Sequence, residues 1–254
     1  MSGLKKRLIP ALILRDGAVV RSVGFTHTNV IHWKPLTAID FFNKWAVDEI
    51  VLIDVSRDTG KRELFYQTVD GLSRKCFVPL TVGGWVTSTD EVKALLRLGA
   101  DKVVINTHAV RHPEFISECA RIFGSQCIVV SIDVRRSPEG SAEVFIDRGR
   151  ERTPLLAVEW ARQAEQLGAG EIFLTSIDRE GGGKGYDLAL VREVATAVTI
   201  PVIAFGGAFT WQHLVDGIVE GGADAVSAAN VFHFTEQSTR KAKQFMREAG
   251  IDVR

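Results

Sequence analysis

The sequence has little of what marks a secreted, metal-binding or nucleic-acid-binding protein. Its three cysteines follow no Cys-x-x-Cys pattern, which argues against a disulfide framework or a zinc site and leads us to expect the cytoplasm. The 31 basic residues equal the 31 acidic ones, so neither nucleic acid nor a membrane surface is an expected partner. The six histidines show no ligand spacing, so we expect no metal and no cofactor. No apolar run reaches the roughly 18 residues of a membrane span, and the polar start is unlike a signal peptide.

Eight short runs rich in valine and isoleucine alternate with segments whose apolar residues recur every three or four positions. The runs predict β-strands and the segments predict helices. The predicted strands are Leu8–Leu14, Glu49–Val55, Val78–Val82, Lys102–Ile105, Cys127–Ile132, Glu171–Thr175, Pro201–Phe205 and Ala223–Val226. The predicted helices include Pro35–Ala46, Asp90–Leu98, Pro154–Leu167, Leu188–Ala197 and Trp211–Glu220. This order predicts an α/β fold, the (β/α)8 or TIM barrel, as a single domain over residues 1–254.

An internal repeat supports the barrel. Gly83-Gly84 recurs as Gly206-Gly207 at a displacement of 123 residues, and Gly99-Ala100-Asp101 recurs as Gly222-Ala223-Asp224 at the same displacement. A half-barrel cannot close its own sheet, so two repeated half-barrels within one domain explain the repeat better than two separate domains.

The repeated glycine pairs predict two phosphate sites at the barrel mouth. In such barrels the active site lies at the carboxyl ends of the strands, where glycine lets backbone N–H groups approach an anion. Each pair is followed one unit later by a polar strand end, at Asn106-Thr107 and at Asn230. Two such sites would suit a ligand with a phosphate at each end, whereas the alternative is that the glycines only allow tight turns.

Charged residues mark both ends of the predicted strands. Asp54, Asp133 and Asp178 end strands, where a carboxylate acts as a general acid or base or merely pairs with an arginine. At the opposite end, charges of alternating sign stand near strand starts and predict a ring that closes the bottom of the barrel, which on fold grounds alone is a stability feature. The ring residues are Arg7, Glu49, Lys102 and Glu171.

Motifs along nearly the whole chain resemble the cyclase subunit of imidazole glycerol phosphate synthase, a lyase of histidine biosynthesis. They include Thr81-Val82-Gly83-Gly84, Ile105-Asn106-Thr107, Phe123-Gly124-Ser125-Gln126, Ser176-Ile177-Asp178-Arg179 and Gly185-Tyr186-Asp187. The resemblance implies a substrate with two phosphates at the mouth, a glutaminase docked at the bottom and ammonia passing through the core. It also implies ring closure by two aspartates, at the ends of the first and fifth strands.

The resemblance assigns roles to individual residues. Asp133 is the catalytic aspartate of the fifth strand, the four ring residues become an ammonia gate, and Asp101 and Gln126 belong to the glutaminase interface. The phosphate-binding residues are Gly83, Gly84, Asn106, Thr107, Gly181, Gly206, Gly207, Ala229 and Asn230.

Residues at the mouth of the barrel depart from the family pattern, whereas the residues at the bottom match it. Ile13 occupies the position of the first-strand aspartate, and isoleucine cannot transfer a proton. Trp85 stands where the first phosphate turn has glycine, and its bulk would crowd a phosphate. Glu180 and Gly182 replace an aspartate and a threonine. The residues that the resemblance assigns to ammonia passage are thus all present, while one of the two aspartates that it assigns to ring closure is missing.

A side branch of the family, linked to bacterial surface-polysaccharide synthesis, has the same pattern. Its members pass ammonia from a glutaminase to a separate sugar amidotransferase that forms an acetamidino group in lipopolysaccharide. We therefore expect a glutamine amidotransferase subunit with a glutaminase partner, a third enzyme as acceptor and a phosphorylated small-molecule ligand. One alternative is a working cyclase in which Asp16 or Asp54 replaces the missing aspartate. The other is a non-catalytic module that binds phosphosugars.

Overall fold

The computed structural model describes residues 5–44, 47–233 and 238–254. The strands in these residues are β1 (Arg7–Arg15), β2 (Ala18–Val23), β3 (His27–His32), β4 (Ile50–Asp54), β5 (Leu80–Gly83), β6 (Lys102–Ile105), β7 (Ile128–Arg136), β8 (Ala142–Ile146), β9 (Glu151–Leu156), β10 (Glu171–Ser176), β11 (Val202–Phe205) and β12 (Ala225–Ala228). The helices are α1 (Leu36–Lys44), α2 (Arg62–Ser73), α3 (Thr89–Arg97), α4 (Thr107–Arg111), α5 (Glu114–Phe123), α6 (Ala157–Gln166), α7 (Leu188–Ala195), α8 (Trp211–Val219) and α9 (Ser238–Glu248). None of these helices is long and apolar enough to cross a membrane.

Eight parallel strands close into a barrel. They pair in the order β1, β4, β5, β6, β7, β10, β11 and β12, and β12 pairs again with β1. Each of the eight predicted strands overlaps one of them, so the predicted α/β (β/α)8 barrel is confirmed. Ala46, the predicted end of the first helix, lies outside the described residues.

The strands are buried on both faces, which explains their almost continuous apolar runs. On β1, Ile9, Ala11 and Ile13 belong to the cluster that fills the barrel, since successive side chains of a strand point to opposite faces. Leu8 and Leu12 point outward and pack under the surrounding helices. A register shift of one residue would exchange these two faces, so the pattern fixes the register.

The repeat appears as matching local structure in the two halves. The carboxylate of Asp101 accepts a hydrogen bond from the backbone N–H of Leu80 (2.8 Å), and Asp224 accepts one from Val202 (3.1 Å). Gly99 and Gly222 adopt the left-handed conformation predicted for residues just beyond a helix end, with φ of 99° and 74°. Each aspartate therefore ties the start of one strand to the start of the next.

Each half also carries an antiparallel hairpin after its first strand. Strands β2 and β3 form the first hairpin, and β8 and β9 form the second. The predicted helix Pro154–Leu167 is wrong at its start, because Pro154 lies in β9 and the helix begins at Ala157. Among the strands that the structure describes, β9 pairs only with β8, so it is an edge strand and tolerates proline.

Candidate functional site

The predicted charge ring closes the bottom of the barrel. Arg7 Nη1 lies 2.9 Å from Glu49 Oε2 and 3.0 Å from Glu171 Oε1. Lys102 Nζ lies 3.1 Å from Glu49 Oε2 and 2.9 Å from Glu171 Oε2. Each cation thus contacts both anions, and the side chain of Glu49 is only 3% exposed. Since all four residues stand at strand starts, the ring lies across the entrance to the barrel interior.

The interior directly above the ring is mostly apolar. Thr81 is fully buried and donates its hydroxyl to Glu49 Oε1 (2.6 Å), so it is a polar neighbour on the inner side of the ring. The side chains that fill the barrel beyond it include Val51, Val129 and Ile203. A neutral molecule would therefore meet little polarity between the ring and the mouth.

Asp101 and Gln126 lie on the rim of the ring end. Asp101 comes immediately before β6, and Gln126 lies in the short helical turn before β7; both are exposed. The carboxylate of Asp101 also accepts the hydrogen bond from the backbone N–H of Leu80, as Asp224 does from Val202. Gln126 donates to the carbonyl of Phe123 (3.5 Å). Both side chains are available to a partner on this face.

The opposite end opens into a cavity of about 300 Å³. Asp133 lies at its wall, 7% exposed, and is surrounded by hydrogen-bonding side chains. Asn106 Nδ2 donates to Asp133 Oδ2 (3.1 Å), and the hydroxyl of Ser131 donates to Oδ1 (3.3 Å). Burial raises the pKa of Asp133 from 3.8 to about 6, against the opposing effect of the hydrogen bonds from Ser131, Thr175 and Asn106. A carboxyl group with this pKa exchanges protons near neutral pH.

The other candidate carboxylates are divided between the cavity and the surface. Ile13 lines the cavity at the first-strand position, so no acid stands there. Asp16 lies in the turn between β1 and β2 with φ of 52°, and it does not line the cavity. Asp178 pairs with Arg135 (3.3 Å) and also lies outside the cavity. Asp54 is buried and lines the same cavity as Asp133. Of the three, only Asp54 shares a space with Asp133.

Trp85 forms part of the wall of this cavity. It follows Gly84 with φ of 63°, a conformation that costs a side chain other than glycine about 1–2 kcal/mol. Its indole N–H donates to Asp54 Oδ2 (2.9 Å), and its carbonyl accepts from Arg62 (2.7 Å). The first glycine turn therefore presents an indole and a carboxylate beside the predicted phosphate position.

The residues predicted for the first phosphate site do not all face one space. Gly84, Asn106 and Thr107 line the large cavity. Asn106 directs its amide to Asp133, and Thr107 accepts from the backbone N–H of Asp147 (3.0 Å). A Cβ on Gly83 would lie 2.7 Å from Cβ of Val104, so this glycine serves the packing of the barrel.

The residues predicted for the second phosphate site line one smaller pocket of about 50 Å³. They are Gly181, Gly206, Gly207, Ala229 and Asn230. Arg21 brings a cation to the same pocket, and Oδ1 of Asn230 is a buried oxygen without a hydrogen-bond partner among the described residues. A Cβ on Gly207 would lie 2.2 Å from the carbonyl oxygen of Gly185, so only glycine fits this turn. Phe205 lines both spaces, so the two sites are neighbours across the mouth.

The two hairpins fasten each half of the chain to the other half. In the first hairpin, the backbone N–H of Phe25 donates to Glu180 Oε2 (3.2 Å), and that of Gly24 donates to the carbonyl of Glu180 (3.1 Å). In the second, Arg148 Nη1 donates to the carbonyls of Val55 (2.8 Å) and Ser56 (3.1 Å). Burial raises the pKa of Glu180. We call these two sets of contacts the reciprocal straps.

Several residues at the mouth were not predicted from the sequence. Phe25, His108, Arg111 and Arg148 all line the large cavity. Burial lowers the pKa of His108 below its ordinary value. Arg148 lies in the turn between β8 and β9, where Asp147, Arg148 and Gly149 all have positive φ. Within the described residues, no three His, Cys, Asp or Glu side chains are grouped to hold a metal ion.

A comparison with protein families agrees with this arrangement. A family model described as histidine biosynthesis protein matches residues 7–238, which span every strand of the barrel and end at the start of α9. The match includes the charge ring, both mouth pockets and both hairpins. Because this match covers most of the chain and the barrel is closed, the chain belongs to the histidine biosynthesis protein family.

Proposed function

We propose that this chain is the barrel subunit of a glutamine amidotransferase system. It docks a glutaminase on the face that carries the charge ring, receives ammonia through the ring and passes it through the barrel to the mouth. The observation that carries the proposal is the ring itself, in which Arg7 and Lys102 each bridge Glu49 and Glu171 across the entrance.

The ring suits a gate better than a purely structural network. Buried ion pairs contribute little net stability compared with apolar packing, because desolvation of the charges offsets their attraction. A closed ring nevertheless excludes water and ions, and a small displacement of one cation opens it. The apolar interior beyond it favours a neutral molecule such as ammonia over ammonium.

The mouth supports delivery to an acceptor rather than ring closure in this chain. Ring closure as the family performs it needs two acid/base groups, and Ile13 removes one of them. Asp133 keeps its position and hydrogen-bond partners. We propose that the acceptor is a sugar amidotransferase that forms an acetamidino group, by resemblance to the side branch linked to surface polysaccharides.

Stimulation of the glutaminase is the direct test. The partner glutaminase is purified with and without the barrel subunit, and glutamine hydrolysis is measured. We expect the barrel subunit to stimulate hydrolysis, and Lys102→Ala and Arg7→Ala to weaken that stimulation while circular dichroism shows an intact fold.

A matched control uses a lysine at the same end of the barrel. Lys5 forms an exposed pair with Asp252 (3.6 Å) outside the ring, so Lys5→Ala should leave stimulation unchanged. Equal stimulation by wild type, Lys102→Ala and Arg7→Ala would reject the gate.

A second candidate function is a working imidazole glycerol phosphate synthase. One observation favours it, namely that Asp54 and Asp133 line the same cavity and Asp54 is buried. The test supplies the biphosphorylated ribulosyl substrate and ammonium salt to the purified chain. If the chain forms imidazole glycerol phosphate, and both Asp133→Asn and Asp54→Asn abolish this activity, the chain is a working synthase and not only a passage for ammonia.

A further inference from the structure

The two glycine turns at the mouth come from the same repeat but have different surroundings. Trp85 follows Gly84 in the first half, and Ala208 follows Gly207 in the second, at the displacement of 123 residues that relates the two halves. Trp85 lines the large cavity, and Ala208 lines the second pocket. The repeat therefore allows a direct comparison of what each turn can hold.

The second pocket suits a phosphate group. Arg21 lines it together with the glycine turn, and the residue that follows the turn is only an alanine. Glu180 also lines this pocket, but its Oε2 accepts from the hydroxyl of Ser22 (3.2 Å) and from the backbone N–H of Phe25 (3.2 Å). The carboxylate is thus held by the first hairpin, while an arginine and a glycine turn share a small space, which is a setting typical of phosphate sites.

The first turn has an acid beside it instead of a base. Asp54 Oδ2 accepts from the indole N–H of Trp85 (2.9 Å), and Oδ1 accepts from the backbone N–H (2.9 Å) and the hydroxyl (2.5 Å) of Ser56. This side chain lies against the glycine, because a Cβ on Gly84 would be 2.9 Å from Cβ of Asp54. A phosphate at this turn would meet a like charge, which weakens binding.

The two arginines of the large cavity already have partners. Arg148 Nη1 donates to two backbone carbonyls, and its Nη2 lies 3.3 Å from Asp147. Arg111 lies 2.6 Å from Glu151. The large cavity therefore differs in charge from the second pocket, although both follow a glycine turn of the same repeat.

The large cavity suits a neutral ring that carries hydroxyl groups. Asp54 accepts three hydrogen bonds from described residues, and a carboxylate can accept about four, so a ligand hydroxyl can donate to it. The aromatic residues Trp85, Phe25 and Phe173 line the same space and suit the apolar C–H groups of a sugar ring. The volume of about 300 Å³ is within the range of small-molecule sites.

We infer that the mouth binds a sugar monophosphate in one orientation, with the phosphate in the second pocket and the hydroxyl-bearing ring against Trp85 and Asp54 in the large cavity. These two residues then determine specificity, because they exclude a second phosphate from the first glycine turn. The inference rests on the proposed function only in placing this ligand where ammonia leaves the barrel.

Titration calorimetry on the full chain tests the specificity with two probes that differ by one phosphate. Fructose 6-phosphate should bind about tenfold or more tightly than fructose 1,6-bisphosphate, because the second phosphate would meet Asp54. The bisphosphate binding as tightly as the monophosphate, or fructose 6-phosphate binding no more tightly than inorganic phosphate, would overturn the inference.

Variants assign the preference to the two residues. Asp54→Asn keeps the size of the side chain and removes its charge, and Trp85→Gly opens the turn with a residue that adopts the φ of 63° without strain. Each should reduce the preference for the monophosphate, and the double variant should abolish it, while circular dichroism shows an intact fold. Trp33→Gly is the matched control, since this tryptophan is 79% exposed and should not affect the preference. An unchanged preference in the double variant would reject the role of Trp85 and Asp54.

A crystal structure with fructose 6-phosphate tests the orientation. The phosphate should lie in the second pocket within about 3.2 Å of a donor such as Arg21, and the ring should lie beside Trp85. A phosphate beside Gly84 would overturn the orientation. The expected selectivity without stimulation of a glutaminase would reject the proposed function alone. Stimulation by a chain that prefers the bisphosphate would reject this inference alone.

Discussion

Removal of Lys102 should destabilise the protein by breaking the charge ring. In Lys102→Met the chain keeps a long side chain but loses the cation that lies 3.1 Å from Glu49 and 2.9 Å from Glu171. Of the two ring cations, only Arg7 then remains beside the two carboxylates, and the hydroxyl of Thr81 still donates to Glu49. Breaking a buried ion pair by removing one partner costs about 3–5 kcal/mol, because the remaining charge is uncompensated.

Calorimetry gives the measurement. For a chain of this size, about 1 kcal/mol corresponds to roughly 2–4 °C in Tm, so Lys102→Met should lower Tm by about 6–20 °C. Lys5→Ala removes a lysine from an exposed pair, worth about 0–1 kcal/mol, and should lower Tm by less than about 4 °C.

A double variant separates the ring from general effects of the substitution. Lys102→Met with Glu171→Gln removes one charge of each sign and leaves the pair between Arg7 and Glu49 (2.9 Å). The loss should then be smaller than the sum of the two single losses, since the residues are in contact. A loss in Lys102→Met no larger than that in Lys5→Ala, or strict additivity in the double variant, would refute the reasoning.

Three further predictions concern the core, the acid at the mouth and the second pocket. Lys243→Met should lower Tm by about 6–20 °C, because the buried carboxylate of Asp48 would lose the cation that lies 2.6 Å from it. A decrease in Tm of less than about 2 °C would contradict this prediction. Asp133 has a folded-state pKa of about 6 against an ordinary value of 3.8, so its ionisation destabilises the fold at high pH. Asp133→Asn should therefore stabilise the protein by up to about 3 kcal/mol above pH 6, and this gain should decline as the pH falls and vanish below about pH 4. Denaturant titrations at several pH values measure the gain. A gain that stays constant or grows as the pH falls would contradict the prediction. Gly207→Ala should abolish binding of inorganic phosphate in calorimetric titrations, because its Cβ would lie 2.2 Å from a carbonyl oxygen. Gly140→Ala should keep this binding, because Gly140 also has positive φ but a Cβ there would have no described residue within 4 Å. Equal phosphate binding by both variants would exclude the pocket as the phosphate site.

The barrel strands could be predicted from the sequence because their physical signal is local. A parallel strand under helices is apolar on both faces, so runs such as Lys102–Ile105 stand out between polar segments. The charge ring was predictable for a related reason, since residues at strand starts must meet at one end of a closed barrel. The contacts within the ring then follow from its alternating signs.

The hairpins and the details of the mouth could not be predicted in this way. Strand β9 is an edge strand with exposed polar residues and Pro154, so it has the composition of a loop followed by a helix start. The contacts of Phe25 and Arg148 reach residues more than 90 positions away, which no local pattern encodes. Trp85 was predicted to crowd a phosphate, but its hydrogen bond to Asp54 depends on how two loops meet.

The reciprocal straps make the two halves of the chain structurally dependent on each other. Half of this chain expressed alone would have two open sheet edges and a hairpin whose fastening point is missing. The straps thus set a condition for splitting the protein: fragments cut between α5 and β7 should gain order only on mixing, and they should recombine as complementary pairs.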